Sequence, residues 1–244
     1  VILTGGEIGA NFESFGSNLR IAAGRVAFGL AGFQGSSITQ TGGDVSTVRL
    51  TTGSEFTMSG AAVAGFASAA HGGRINLNGG SIDGVSVGQG SQFWMSGGTL
   101  GNFLEIRDGG AITIVGNDFR VDGIPVTGLS QVGDALEVQV PRDSLLSGTL
   151  ADGTPFAIPA SPRSIDSNLT LIASPLVPVG PSRIVLPGEF GSQGIRDGQT
   201  LVVNPGGQVP DNFNLGPGSS MEILGGQVGS NLEALGANVK MVSG

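Results

Sequence analysis

The feature that most constrains this chain is a glycine-punctuated repeat that stays in step over its first 117 residues. Gly-Ser-type pairs begin at Gly16, Gly35, Gly53, Gly72, Gly90 and Gly109, a spacing that alternates between 19 and 18. A second landmark, usually Gly-Gly, has its second member at Gly6, Gly24, Gly43, Ala61, Gly80, Gly98 and Asn117. Two positions after it comes an apolar residue: Ile8, Val26, Val45, Val63, Ile82, Leu100 and Phe119. The three series advance together in two-coil units of 37 residues. A self-similar period of this length marks a stack of structural repeats, in which no unit buries its apolar side without its neighbours.

Each slot has a physical reading. After every Gly-Ser pair comes an apolar-x-apolar triplet, such as Leu19-Arg20-Ile21, Phe56-Thr57-Met58, Ile75-Asn76-Leu77 or Phe93-Trp94-Met95. That alternation is a short strand with one buried face. Glycine then supplies the left-handed backbone needed at a corner, with Asn117 the expected non-glycine substitute in that slot. The middle residues of the triplets read Arg20, Thr39, Thr57, Asn76, Trp94 and Thr113, mostly polar, as a solvated sheet face requires. Three short strands and three corners account for coils of 18–19 residues, and the expected fold is all-β: a right-handed parallel β-helix. Leu19, Ile38, Phe56, Ile75, Phe93 and Ile112 should form one interior column, and Ile8 through Phe119 another. An antiparallel barrel or sandwich also uses short strands and glycine turns, but seldom keeps three landmarks in step across six repeats.

Composition fits that reading. The 244 residues include 45 glycines, no cysteine and only 12% charged side chains. Such a glycine load would suggest disorder or collagen, yet the chain is too apolar for the first and lacks the strict triplet period of the second. All twelve prolines lie after residue 124, eight of them from Pro125 to Pro181. Proline removes a ladder donor, so its arrival marks a boundary. The expected organisation is β-helix coils over 1–117, a β-rich insertion with a Pro-rich linker over 118–183, and coils resumed over 184–244. In the last segment Gly188, Gly207, Gly226 and Gly244 take the glycine slot, and Phe190, Val209 and Val228 the apolar one. Within the insertion, Leu136–Val140 and Asn168–Ile172 alternate as strands, and Asp152-Gly153 is a hairpin signal.

The function classes narrow from here. A net charge of −8 with a single lysine, Lys240, offers no basic stripe for phosphates, so nucleic acid is not an expected partner. No apolar run is long enough for a transmembrane helix. Acid–base chemistry on polysaccharide needs clustered carboxylates and a base. Here His71 sits in a corner slot, no Asp-Asp pair occurs, and Asp44, Asp83, Glu105 and Asp108 fall on different coils. Asp118 and Asp122 flank Phe119-Arg120-Val121 and read as a polar strand edge rather than a metal site. No catalytic residue, metal site or cofactor is therefore expected. Trp94 alone breaks the polar ladder; with Arg74 and Asn76 beside it, an exposed indole stacks on sugar rings or anchors a partner, unless the insertion covers it.

These glycine-cornered coils resemble the repeat regions of secreted bacterial β-helix proteins, including autotransporter passengers and filamentous-haemagglutinin-like adhesins. The segment from Leu146 to Phe156, LSGTLADGTPF, is similar to a module of exported proteins of planctomycete-type bacteria. The resemblance covers most of the repeat and implies an extracellular or cell-surface location and a structural, fibrous or adhesive role; it carries over no functional residue. The expected function is a non-enzymatic solenoid presenting a repetitive surface, possible partners being cell-surface glycans and, through open solenoid ends, further copies of the chain. A polysaccharide-binding protein, or a polysaccharide lyase or hydrolase, is the alternative.

Overall fold

The structure is a computed structural model that describes residues 1–9, 11–107, 109–160, 169–177, 182–189, 194–196, 198–211 and 213–242. Asp108, Asn168, Pro181, Phe190 and Gly244, each given a place above, lie outside the described residues. All regular elements among the described residues are strands. Stacked parallel coils form a β-solenoid of about eleven turns at about 19-residue spacing.

The triplets build the first face. Leu19 pairs with Ile38, and the column continues through Phe56, Ile75, Phe93 and Ile112, every step parallel. Two residues on, Ile21, Gln40, Met58, Leu77, Met95 and Ile114 form a second inward column, buried along its whole length. Its one polar member, Gln40, donates its amide to Gly43 O at 3.1 Å and so ties the strand to the next corner. The second face holds Ile8, Val26, Val45, Val63, Ile82 and Leu100 in one column, as the repeat predicts. A third face carries no sequence landmark: Phe12, Leu30, Val48, Ala67, Val85 and Leu104 align on it. The columns merge into one core, to which each fully buried side chain such as Phe56 or Ile82 contributes roughly 1.5–3 kcal/mol.

The corners before the first face are two-residue turns. Ser36, Ser54, Gly73, Ser91 and Gly110 each donate their N–H to the carbonyl three residues earlier, at 2.8–3.2 Å. The central pairs Gln34-Gly35, Thr52-Gly53, His71-Gly72 and Gln89-Gly90 have positive φ at both positions, the signature of a type I′ turn. The Gly-Gly corners obey a harsher constraint. A Cβ on Gly43 would overlap the carbonyl oxygen of Gly24 on the preceding coil, and one on Gly80 that of Ala61.

The solenoid pattern breaks at Gly116. Ile112–Gly116 still pairs in parallel, now with Leu169–Ala173, while Gly116–Val121 turns to antiparallel pairing with Leu146–Leu150. Phe119 therefore does not extend the Ile8-to-Leu100 column by parallel pairing; it is buried against Phe156, ring centroids 6.1 Å apart. Nor does Asn117 take the left-handed backbone expected of it. That conformation falls on Asp118, at φ +49°. The Asp152-Gly153 hairpin forms as the sequence indicates, joining Leu145–Leu150 to Pro155–Pro159. Leu169–Ala173 lies within the 118–183 segment yet supplies the next rung of the first face. Its far edge is taken by Ala135–Val138, laid down antiparallel.

Beyond this point the coils resume around a second core of Val185, Ile195, Leu201, Val203, Val209, Phe213, Leu215, Met221 and Ile223. Arg183–Val185, Thr200–Val203, Ser220–Ile223 and Asn238–Met241 stack in parallel, and Val209 pairs with Val228. Corner chemistry changes here. Leu186–Glu189, Asn204–Gly207 and Gly216–Ser219 close with a bond from the fourth N–H to the first carbonyl. Each has proline second and a positive-φ glycine third, Gly188, Gly206 or Gly218, the pattern of a type II turn. Proline is thus built into the second stack as a turn residue.

Gly35 and Gly43 separate backbone conformation from close approach, because their φ values are +75° and +74° but only Gly43 lacks room for a Cβ. Gly35→Ala should cost about 1–2 kcal/mol for the left-handed backbone, and Gly43→Ala distinctly more. Urea denaturation of the two variants checks this; equal losses would show that contact between stacked corners contributes nothing.

Candidate functional site

The outward ladder of the first face forms as the triplets require. Arg20, Thr39, Thr57, Asn76, Trp94 and Thr113 occupy one column, extended by Thr170. Arg74 lies two residues before Asn76 on the same rung and points to the same side, while Trp94 is Asn76's direct neighbour on the next rung. The structure therefore brings Arg74, Asn76 and Trp94 together. Their polar atoms are held by cross-rung bonds. Arg74 Nη2 donates to Gln92 Oε1 at 2.8 Å; Asn76 Nδ2 donates to Glu55 Oε1 at 2.5 Å and Thr57 Oγ1 at 3.0 Å.

Trp94 remains 37% exposed. The insertion approaches without closing over it: the hairpin tip docks two residues along the strand, where Asp152 N donates to Ser96 O at 3.1 Å and Asp152 Oδ2 accepts from Gly98 N at 2.9 Å. The result is a flat surface with one aromatic platform beside fixed amide and guanidinium groups, an arrangement suited to an amphipathic ring such as a sugar.

Most of the described titratable groups stand apart, the exception being Asp83 and Asp211, whose carboxylates lie near enough for the second to raise the pKa of the first. His71 is exposed at a type I′ corner, φ +52°, and its carbonyl accepts from Gly53 N at 3.3 Å. Asp118 Oδ1 accepts from Arg120 Nε and Nη2 at 3.1 and 3.0 Å, whereas Asp122 Oδ1 accepts from Leu145 N at 2.8 Å; the two carboxylates serve different contacts. Lys240 pairs with Glu222 at 2.8 Å. Among the described residues no three His, Cys, Asp or Glu side chains are grouped so as to hold a metal ion.

Aromatic residues on the third face escaped the sequence reading. Phe28, Phe66 and Phe103 are 71%, 47% and 41% exposed. The ring of Phe66 lies over Gly84, which has no side chain to displace it, and meets Phe103 edge-on at 4.8 Å. Phe15 and Phe33 stack on adjacent rungs at 4.9 Å. A signal was available: Phe28, Phe66 and Phe103 recur at 38 and 37 residues, once per two-coil unit. It was hidden because alternate coils carry Thr47 and Gly84 instead.

No family model, no curated protein and no solved structure matches this chain.

Two carboxylates titrate in opposite senses. Desolvation, with the Asp211 carboxylate second, raises the pKa of Asp83. The hydrogen bond from Leu145 N, then that from Ser144, lowers the pKa of Asp122. A raised carboxyl pKa gives stability that is complete below the unfolded value and lost as pH rises through the folded one; a lowered pKa gives stability present above the unfolded value and lost as pH falls. Asp83→Asn should therefore stabilise the protein at neutral pH and have no effect in acid. Asp122→Asn should destabilise it at neutral pH, with a penalty that shrinks as pH falls below the carboxyl range. Denaturant midpoints across that range provide the measurement, and parallel pH profiles for the two variants would contradict the assignment.

Proposed function

We propose that the chain is a non-enzymatic solenoid of the cell surface or extracellular space, whose rigid, repetitive faces serve structural support and adhesion. The observation that carries this reading is the dispersal of chemistry along a regular scaffold. From Leu19 to Ile112 the rungs stay in register, while most of the described groups an acid–base mechanism would use stand at corners or hold secondary structure. Asp152 caps a hairpin tip, Asp122 anchors the strand that begins at Leu145, and His71 turns the chain. The glycine-cornered coils, similar to those of secreted bacterial adhesins, support the location.

A second reading is favoured by Trp94. Its exposed indole, beside Asn76 and Arg74 on a flat face, supports contact with a polysaccharide. Binding and turnover separate the readings. The protein should be retained on glycan-coated surfaces and release no reducing ends or unsaturated products from polysaccharides. Trp94→Ala should reduce retention about fivefold or more, in keeping with roughly 1 kcal/mol for a lost stacking contact, whereas His71→Ala should change nothing. Polysaccharide cleavage that disappears in His71→Ala would restore the enzyme reading.

A further inference from the structure

The third face contains a concavity that the repeat pattern alone would not produce. Four rungs present their outward side chains in register: Arg49 beside Ser68, Ser68 beside Ser86, and Ser86 beside Glu105. Where the trough lies, the two middle rungs carry small residues, Ser68 and Ala70 on one, Ser86 and Gly88 on the next. The outer rungs carry Arg49 and Arg107. The difference in side-chain size leaves a trough of about 430 Å³, lined by Arg49, Ser68, Ala70, Ser86, Gln89 and Arg107 among others. Its width between the outer rungs is about 14 Å, three strand spacings. The exposed Phe66–Phe103 pair stands outside this lining, two residues before Ser68 and Glu105 on the same rungs.

Its charge is unusual for this protein. Arg107 is neutralised within the face: its Nε and Nη2 donate to Glu105 Oε2 at 2.9 and 2.8 Å, and Ser86 Oγ donates to the same oxygen at 3.1 Å. Glu105 is buried beneath this contact. Arg49, by contrast, is exposed, and among the described residues no carboxylate lies within ion-pair distance of it. Among the described residues, Arg49 is thus the one guanidinium of the trough without a carboxylate partner, in a chain of net charge −8. A guanidinium over a concave floor is a fork for a carboxylate or other oxyanion. The remaining lining narrows the ligand. Val48–Leu50, Ala67–Ala69 and Val85–Val87 pair with rungs on both sides, leaving no free strand edge for an extended peptide. Recognition must come from side chains: hydroxyls at Ser68 and Ser86, the Gln89 amide, and an apolar edge at Phe66 and Phe103.

We propose that this trough binds a carboxylate-bearing sugar, with Arg49 on the carboxylate, Ser68, Ser86 and Gln89 on ring hydroxyls, and the Phe66–Phe103 edge against C–H groups. The inference rests on the reading of the solenoid as a surface that meets glycans, and it adds a second site, on a different face from Trp94. Sialyllactose and trigalacturonate are the probes, because the same carboxylated-sugar chemistry reaches a protein either as the terminal residue of a glycan or as the repeating unit of an acidic polymer. Calorimetry on the whole 244-residue chain should show at least one of them binding, and which one identifies the source. Arg49→Gln should weaken that binding about tenfold, as loss of a charge-assisted pair would. Ala70→Leu, which fills the floor without touching a charge, should also abolish or greatly reduce it. Trp94→Ala should leave it intact, so that failure here is distinguishable from failure of adhesion through the first face. The proposal is overturned if neither acidic probe binds, if lactose binds as well as sialyllactose, if an acidic peptide competes fully, or if Arg49→Gln binds like the parent protein.

Discussion

Everything in this structure depends on coils approaching one another closely enough for their backbones to bond rung to rung. At the second corner the approach is so tight that a Cβ on Gly43 would overlap a backbone oxygen of the coil below. Gly24, Gly43, Gly80 and Gly98 have no room for a Cβ there, Ala61 alone carrying one in that slot of the first six coils, and stacking brings the interior columns into van der Waals contact. The hydrogen bonds set the spacing, the glycines permit it, and the apolar columns make it favourable. Removing any one of the three would leave the other two without purpose. A Leu or Phe in a single 18-residue coil would remain half in water.

The sequence was most legible where one physical requirement repeats without exception. The Leu19-to-Ile112 and Ile8-to-Leu100 columns were predictable because burial and corner geometry act at every coil. The third face was silent. Its inward residues range from Ala67 to Phe12, and its outward ones alternate between phenylalanine, threonine and glycine, so no fixed landmark recurs. Arg74, Asn76 and Trp94 were found because they interrupt a regular ladder. Arg49 and Arg107 were not, because nothing in the sequence shows that the coils between them are small on that side. Phe119 and Asn117 matched the landmarks and still departed from the pattern, since Gly116–Val121 finds an antiparallel partner in Leu146–Leu150 that spacing cannot foresee.

The two stacks solve one problem with different residues. In the first, a pair with positive φ at both positions turns the chain, which allows Gln34, Thr52, His71 and Gln89 to accept a strained backbone next to glycine. At three corners of the second, proline fixes the first turn residue and glycine takes the second. Proline is compatible with that position because its missing N–H falls in the turn rather than in the ladder. The proline distribution therefore reports a change of turn type as well as the position of the insertion.

The strand Ala135–Val138 sets a limit on cooperativity. In a stack of coils, stability passes between nearest neighbours, so a disturbance at one rung is felt along the column for as long as like meets like. On the first face that relay runs through Ile112 to Leu169 and there meets, among the described residues, a strand of opposite direction. The Val185-to-Ile223 core belongs to a separate hydrophobic cluster. The Pro-Gly stack still leans on what precedes it, Pro155 meeting Gly194 and Gly216 and the Asp211 carboxylate reaching Asp83, so a two-coil unit gained or lost in the first stack would be felt in the second through these contacts rather than along the column.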